Sequence, residues 1–466
     1  MAGGSRACYI MQKESESMWF KIEVIPYGQK TLFLPADMVR ECGPVAAVKF
    51  GGRSIRASIQ PRDDLKLPRR NSFASPGRII LSDKLREELL LADVPVYRVK
   101  LDRGRLVFGP VIGLLLGSAT QRYNPVHMMK YSDRFGIYHR IGGLVYAFAP
   151  KLINWREQDA YGLYYNHIKR GWEYGRFPLP EVIYRRDFHT DPEVIRQLIT
   201  YTGGRLFNSY RFSKDEFYRY LKGNRRLKKH LPPTAPVQGF SQLKKFIDHY
   251  QKVILKPAHL SRGRGMCIVE KVGAGYTVHD FRTKEPTVYE LYHDKLLENF
   301  FAVYQDLFEQ YLVQRYIPFA KIDGAPFDIR VVMQKRPDRQ WECSGMECRV
   351  ANNGYLTNIS RGGYALPLAE GLKQAFPMGY TGLRERMEEL CQEFCRCLDR
   401  SGEHFAELGL DLAFDTEKKL WLIEANVFPS FKGFKRMDPE TYLSIRYRPM
   451  LYACSLTEFG VATGGP

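Results

Sequence analysis

The sequence is short of acid. Against 70 lysines and arginines stand 51 aspartates and glutamates, leaving a net charge of +19 at pH 7. That imbalance favours an anionic partner: nucleotide, acidic peptide, anionic polymer or nucleic acid. Long apolar runs are also missing. The longest, Val111-Ile112-Gly113-Leu114-Leu115-Leu116, is far too short to cross a bilayer. Residues 1–18 are polar and carry no apolar stretch of the secretory kind. The expectation is a soluble, cytoplasmic protein with no membrane partner. Nine cysteines in 466 residues are too sparse for a disulfide framework, and the odd number fits a reducing compartment. Cys391, Cys395 and Cys397 follow a helical pattern with Leu390, Phe394 and Leu398. No cysteine or histidine pair at zinc spacing accompanies them, so they read as buried thiols. The ten histidines are scattered, and no Ser/His/Asp or Cys/His constellation offers a nucleophile. No internal repeat is visible.

What is present suits a folded chain of about three domains, with 44% hydrophobic and 13% aromatic residues. Residues 1–108 alternate β-like runs (19–24, 46–50, 79–81, 96–101) with turns and one amphipathic helix at 82–91, and read as a β-rich domain. Residues 109–205 read as an α/β domain. Its first run, 111–116, has the continuous apolar character of a buried parallel strand, and helices are expected at 125–135 and 192–202. Residues 206–456 form a third domain, and 457–466 a frayed tail. The densest basic cluster, Arg225-Arg226-Leu227-Lys228-Lys229-His230, lies beside a helix end without interleaved aromatics. It reads as a solvated terminus, which makes nucleic acid the weakest of the anionic partners.

The third domain carries the chemistry. In the strand-like run 421–427, Glu424 and Asn426 point one way while Ile423, Ala425 and Val427 point the other. Upstream, 410–414 is a second short strand bearing Asp411, and Thr416-Glu417-Lys418-Lys419 supplies a polar turn. A hairpin centred there sets Asp411 opposite Glu424. Three hard oxygen donors then converge, as a magnesium ion shared with nucleotide phosphates requires; an exposed hairpin with charges on its wet face fits the same residues. The β-run 253–256 ends in Lys256, and a loop through Ser261, Arg262, Gly263, Arg264 and Gly265 leads to a returning run at 267–270. Such a flap can wrap phosphate oxygens with backbone N–H groups above a lysine point charge. It is not a P-loop, because the Gly-Lys-Ser/Thr ending is absent, and an ordinary hairpin fits it equally. Residues 312–318 are apolar enough for a core strand and could also offer backbone groups to an adenine edge. Strict alternation over 327–333 places Asp328 and Arg330 on one face, as an internal ion pair or an anion-recognising pair. The polar loop with Thr357, Asn358, Ser360 and Arg361 suits a carboxylate or phosphate, or is a plain loop.

The order decides between these readings: cation strand, glycine flap, apolar hinge strand, Asp-x-Arg strand, then Asp and Glu-x-Asn. In that order, and in Ile-Leu-Lys-Pro, Ser-Arg-Gly-Arg-Gly, Pro-Phe-Asp-Ile-Arg, Ser-Arg-Gly-Gly and Ile-Glu-Ala-Asn, the sequence resembles the ATP-grasp superfamily. Within it, the resemblance is to the YheC/YheD-like endospore coat-associated group, over residues 109–434. It implies an α/β (α+β) architecture: an ATP-grasp fold preceded by a pre-ATP-grasp α/β domain and an N-terminal β-rich domain. It implies ATP and Mg2+ as cofactors, Lys214 and Lys256 as nucleotide-binding lysines, and residues 261–265 as the flexible phosphate loop. Gln314, Arg315, Tyr316 and Ile317 match the adenine hinge, with Asp328 nearby. Arg330, Arg349, Asn358 and Arg361 fall around the phosphates and acyl substrate, with Arg330, Asn358 and Arg361 as the catalytic set. Asp411, Glu424 and Asn426 match the metal ligands. Arg315 departs from the pattern, since many hinges carry an acid there, and puts the ribose contact in question. The implied activity is ATP-dependent carboxylate–amine ligation through an acyl phosphate. The carboxylate and amine substrates are unknown and, given the charge, acidic, and spore coat proteins are candidate partners and the spore coat a candidate location. The alternative is a non-catalytic nucleotide-binding or structural coat-associated protein.

Overall fold

The computed structural model describes residues 17–462 apart from 69–70, 103, 259–264, 283–285, 305–307, 309 and 352–362. The chain forms two compact units, residues 1–206 with 450–466, and residues 207–449.

In the first unit, seven strands close into a barrel: β1 (Met18–Ile25), β2 (Thr31–Leu34), β3 (Val45–Phe50), β4 (Arg53–Pro61), β5 (Gly77–Ser82), β6 (Tyr97–Asp102) and β7 (Arg105–Gly109), in the order β1-β5-β2-β4-β3-β7-β6. Closure removes the unpaired edges that so many short strands would otherwise expose. Phe20, Leu32, Val48, Phe50, Ile79, Leu81, Val99 and Phe108 are among the apolar residues of its core. Ser82 joins sheet to helix: its hydroxyl accepts from Leu85 N at the start of helix Asp83–Leu89 and from Thr31 N at 3.1 Å.

The same unit holds a sheet in the order β11-β10-β9-β8-β12-β13, from β8 (Val111–Leu115), β9 (Leu144–Asn154), β10 (Asp159–Asn166), β11 (Gly171–Pro178), β12 (Val182–Arg185) and β13 (Leu206–Phe207). β8 is wholly buried and runs parallel to both β9 and β12, as its uninterrupted apolar sequence implies. The segment expected as one helix at 125–135 is instead the four-residue helix Pro125–Met128 followed by the 3-10 stretch Met129–Ile137.

The frayed tail expected at 457–466 is corrected for its described part. Phe459 is 7% exposed, and the Arg98 guanidinium donates to the carbonyls of Phe459 (2.6 Å) and Gly460 (2.5 Å). Lys49 pairs with Glu458 at 2.9 Å, and Ala462 N donates to Arg140 O. One buried cation with two carbonyl acceptors and an aromatic face beside it orders a segment that composition alone marks as loose.

The second unit contains two antiparallel sheets. The first has the order β14-β19-β15-β16-β17-β18, from β14 (Thr234–Pro236), β15 (Lys252–Pro257), β16 (Cys267–Val272), β17 (Gly275–Asp280), β18 (Thr287–Leu291) and β19 (Tyr311–Arg315). Val253, Leu255, Val269, Val278 and Val313 pack on one face with Leu243 and Ile247 of helix Phe240–Tyr250. The second has the order β23-β22-β21-β24-β25, from β21 (Ala325–Lys335), β22 (Trp341–Val350), β23 (Tyr364–Pro367), β24 (Glu407–Phe414) and β25 (Leu420–Asn426), with β20 (Lys321–Ile322) paired to β21. Its apolar face buries Ile329, Val331, Cys348, Leu410 and Leu412 against helix Leu383–Asp399, in which Cys391 and Cys395 are core residues. The polar faces of the two sheets are left for chemistry.

Candidate functional site

β24 and β25 form the expected hairpin, and Asp411 pairs with Glu424. The route to that register differs from the expected one. The turn spans residues 415–419 and pairs Phe414 with Leu420, one residue off the symmetric count; a bulge between Asp411 and Leu412 restores it. Ile423 is the extra residue. Leu422, with Ala425 and Val427, therefore joins the core in its place, a correction to simple alternation. Glu424 and Asn426 are half-buried, and their side chains make no hydrogen bond to a described residue.

Asp411 is engaged from two sides. Register sets Arg330 of β21 beside it, and Arg330 donates to both its oxygens through Nε and Nη2. Arg349 of β22 lies 3.1 Å from Oδ2 and also forks onto Asp328, at 2.6 and 2.7 Å. Burial alone would push the Asp411 carboxyl up, but the two guanidiniums hold it below its ordinary range. Glu347, opposite Arg330, completes the cluster. It is 2% exposed, its Oε2 has no hydrogen-bond partner, and burial outweighs Arg330 and Arg349 to push it up to about 7. Glu347 was not among the sequence candidates. The alternation of β22, which puts Met346, Cys348 and Val350 in the core, was the signal that could have placed it.

Across from this face stand the lysines. Lys214 opens helix Lys214–Lys222, where Ser213 and Glu216 form a capping box, and its ammonium donates to Pro257 O at 3.1 Å. Lys256 of β15 donates to Gln314 Oε1 at 2.7 Å. Gln314 Nε2 in turn donates to Tyr218 and Thr234, two further residues that sequence reasoning did not single out. Burial, reinforced by the Lys214 charge and opposed by Glu424, brings Lys256 down to about 8. Lys214 is lowered by burial too, again against the pull of Glu424. Two desolvated ammonium groups and one carboxylate thus share a cleft inside this unit.

The hinge residues separate by strand alternation. Gln314 faces Lys256, whereas Arg315 pairs with Val253 on the opposite face, is exposed, and sets its guanidinium 5.9 Å from the Tyr250 ring. Ile317 is buried; the backbone N–H groups of Arg315 and Tyr316 already donate to Pro233 O and Lys252 O. Asp328 is committed to Arg349. Gly265 sits in a left-handed turn (φ 76°), and its carbonyl accepts from Tyr311. Ser261, Arg262, Gly263, Arg264, Asn358 and Arg361 lie outside the described residues. Among the described residues, histidine, cysteine, aspartate and glutamate alone gather no set of three metal donors; Asp411, Glu424 and Asn426 include an amide.

Comparison with known proteins gives this arrangement its family. The YheD protein of Bacillus subtilis (strain 168), named an endospore coat-associated protein, is 25% identical over 466 residues, covering 95% of this chain and 97% of YheD. Endospore coat-associated YheC of the same organism is 24% identical over 308 residues, covering 63% of this chain and 80% of its own. Among solved structures, N5-carboxyaminoimidazole synthetase from Staphylococcus aureus complexed with ADP aligns at a TM-score of 0.45 and 11% identity, over 76% of this chain and 80% of that one. The model of the YheC/D-like ATP-grasp family matches residues 203–456, more than half of the sequence. The chain belongs to the YheC/D-like ATP-grasp family.

Proposed function

We propose that the chain is an ATP- and magnesium-dependent ligase that joins a carboxylate to an amine through an acyl phosphate. The observation that carries this reading is the convergence of Lys214, Lys256 and Glu424 beside Asp411 and Asn426. Two desolvated ammonium groups with one carboxylate between them leave positive charge unbalanced. A polyphosphate relieves that standing desolvation penalty, so the cleft selects for one.

The donor set fits magnesium. Glu424 and Asn426 are uncommitted, and Asp411 Oδ1 accepts only from Arg330 Nε, which leaves it one lone pair. These are hard oxygen donors of the kind magnesium takes alongside phosphate and water. Held there, the ion would supply charge neutralisation at the β- and γ-phosphates. Lys214 and Lys256 bind and orient the triphosphate. Arg330 spends Nε and Nη2 on Asp411, which leaves Nη1 to hold an oxyanion of the acyl donor. The donor's carboxylate oxygen attacks the γ-phosphorus and ADP departs; the amine then attacks the acyl carbon, releasing phosphate and a proton. Such chemistry depends on positioned cations more than on a protein nucleophile. The net charge of +19 suits acidic substrates, and the names of the relatives support a spore coat association.

One observation favours a second reading, nucleotide binding without catalysis: Asp411 already serves two arginines. Thermal unfolding with ATP and magnesium, on the wild type and Glu424→Ala, tests both. Saturation near 100 times Kd gives about 2.7 kcal/mol of stabilisation, and the variant is expected to lose most of it. No wild-type shift refutes both readings. ADP release that depends on added carboxylate and amine pools separates the ligase from the binder.

A further inference from the structure

Gln314 stands in the middle strand of three. β14, β19 and β15 lie side by side, and register sets Thr234 of β14 directly opposite Gln314. On the other side Gln314 pairs with Ile254, two residues along β15 from Lys256. One carboxamide, 3% exposed, bridges all three strands. Its oxygen accepts from Lys256 Nζ at 2.7 Å. Its nitrogen donates to Thr234 Oγ1 at 2.8 Å and to the phenol of Tyr218, one turn into the helix that Lys214 opens. Both N–H groups of the amide are thereby spent.

Counting protons at its two ends fixes which way round the amide lies. An ammonium only donates, so the end facing Lys256 must be the oxygen. Thr234 Oγ1 has one proton and gives it to Pro232 O at 2.8 Å, so toward Gln314 it only accepts. A reversed amide would set oxygen against oxygen at Thr234 and N–H against ammonium at Lys256. Tyr218 is indifferent to orientation, because a phenol accepts or donates, and it takes the second N–H. Without the two hydroxyls both N–H groups are stranded in a buried place, and the side chain gains by turning away to find partners. Lys256 then loses the carbonyl that holds it.

We propose that Thr234 and Tyr218 are positioning residues for the nucleotide: they lock the Gln314 carboxamide so that its carbonyl holds the Lys256 ammonium in the cleft. This rests on the nucleotide-binding reading above. Calorimetric titration of the full chain with ATP and magnesium tests it in a cycle of wild type, Tyr218→Phe/Thr234→Val, Gln314→Glu and the triple variant. In the wild-type background, loss of both hydroxyls is expected to weaken ATP binding about tenfold. A carboxylate at position 314 has no N–H to satisfy and accepts from Lys256 either way round. With Gln314→Glu in place, the same loss is therefore expected to change affinity by less than about twofold. Thr234 supplies a second, milder pair in an edge strand. Thr234→Val keeps the shape without the oxygen and is expected to bind ATP about threefold more weakly, whereas Thr234→Ser keeps the oxygen and should match wild type within about twofold. Equal losses in the two backgrounds, as hydroxyls of merely structural value would give, overturn the inference alone. So does a Thr234→Val protein that binds as tightly as Thr234→Ser. A wild type that binds no ATP overturns it together with the reading on which it rests.

Discussion

Lys256→Met reads out the electrostatic tension in the nucleotide cleft. Burial brings the ammonium from 10.5 to about 8, equivalent to about 3 kcal/mol of penalty on the charged form. Because the residue is only half-buried by its solvent exposure, that figure is an upper bound. Below pH 8 the lysine is charged both folded and unfolded, and the whole penalty stands. Between pH 8 and 10.5 the unfolded chain still holds a proton that the folded chain has released, so rising pH favours the folded state. The methionine variant lacks this term, but it strands Gln314 Oε1, at about 1–3 kcal/mol. The variant is therefore expected to match or exceed wild-type stability near pH 7. The wild type should gain on it by up to about 3 kcal/mol across the window. Urea unfolding of both proteins from about pH 7 to about pH 10 measures the difference, in which other titrating groups cancel. ATP with magnesium should flatten it by supplying the missing counter-charge. Stability curves that run parallel over the whole range would refute this account of Lys256.

Arg315→Ala is expected to leave nucleotide affinity within about twofold, about 0.4 kcal/mol, because the side chain lies on the far face of β19; equilibrium binding measures it. Deleting Ile423 removes the bulge and leaves Glu424 directly after Leu422, still opposite Asp411 on the polar face. Nucleotide-dependent stabilisation is therefore expected to survive the deletion in thermal unfolding, and its complete loss would refute this account of the register. In Gly433→Ala the new Cβ would fall 1.9 Å from Glu347 Oε2. The expected destabilisation is about 1–3 kcal/mol, and Glu347→Ala in the same chain should recover most of it in a double-mutant cycle.

The parts of the site carried by one short segment were legible in the sequence. The Asp411–Glu424 pair lies in a hairpin closed by a local turn, so counting residues locates it even though the count missed the bulge. The alternation of 327–333 likewise placed Asp328 and Arg330 together. What could not be read is who meets them. Arg349 and Asp411 reach that pair only because β21 runs between β22 and β24, a pairing set by long-range burial of the apolar face. In the hinge, Gln314 and Arg315 are neighbours in sequence but face opposite sides of β19, as strand periodicity implies. The barrel stayed hidden because β1 pairs with β5, far along the chain, and no local pattern records that.

The anchoring of residues 458–462 by Lys49, Arg98 and Arg140 bears on how the polypeptide matures. On a ribosome, residues 207–449 emerge complete while the unit that began first still waits for its final stretch. The N-terminal portion therefore cannot complete its packing until residues 458–462, made after that second unit, have emerged.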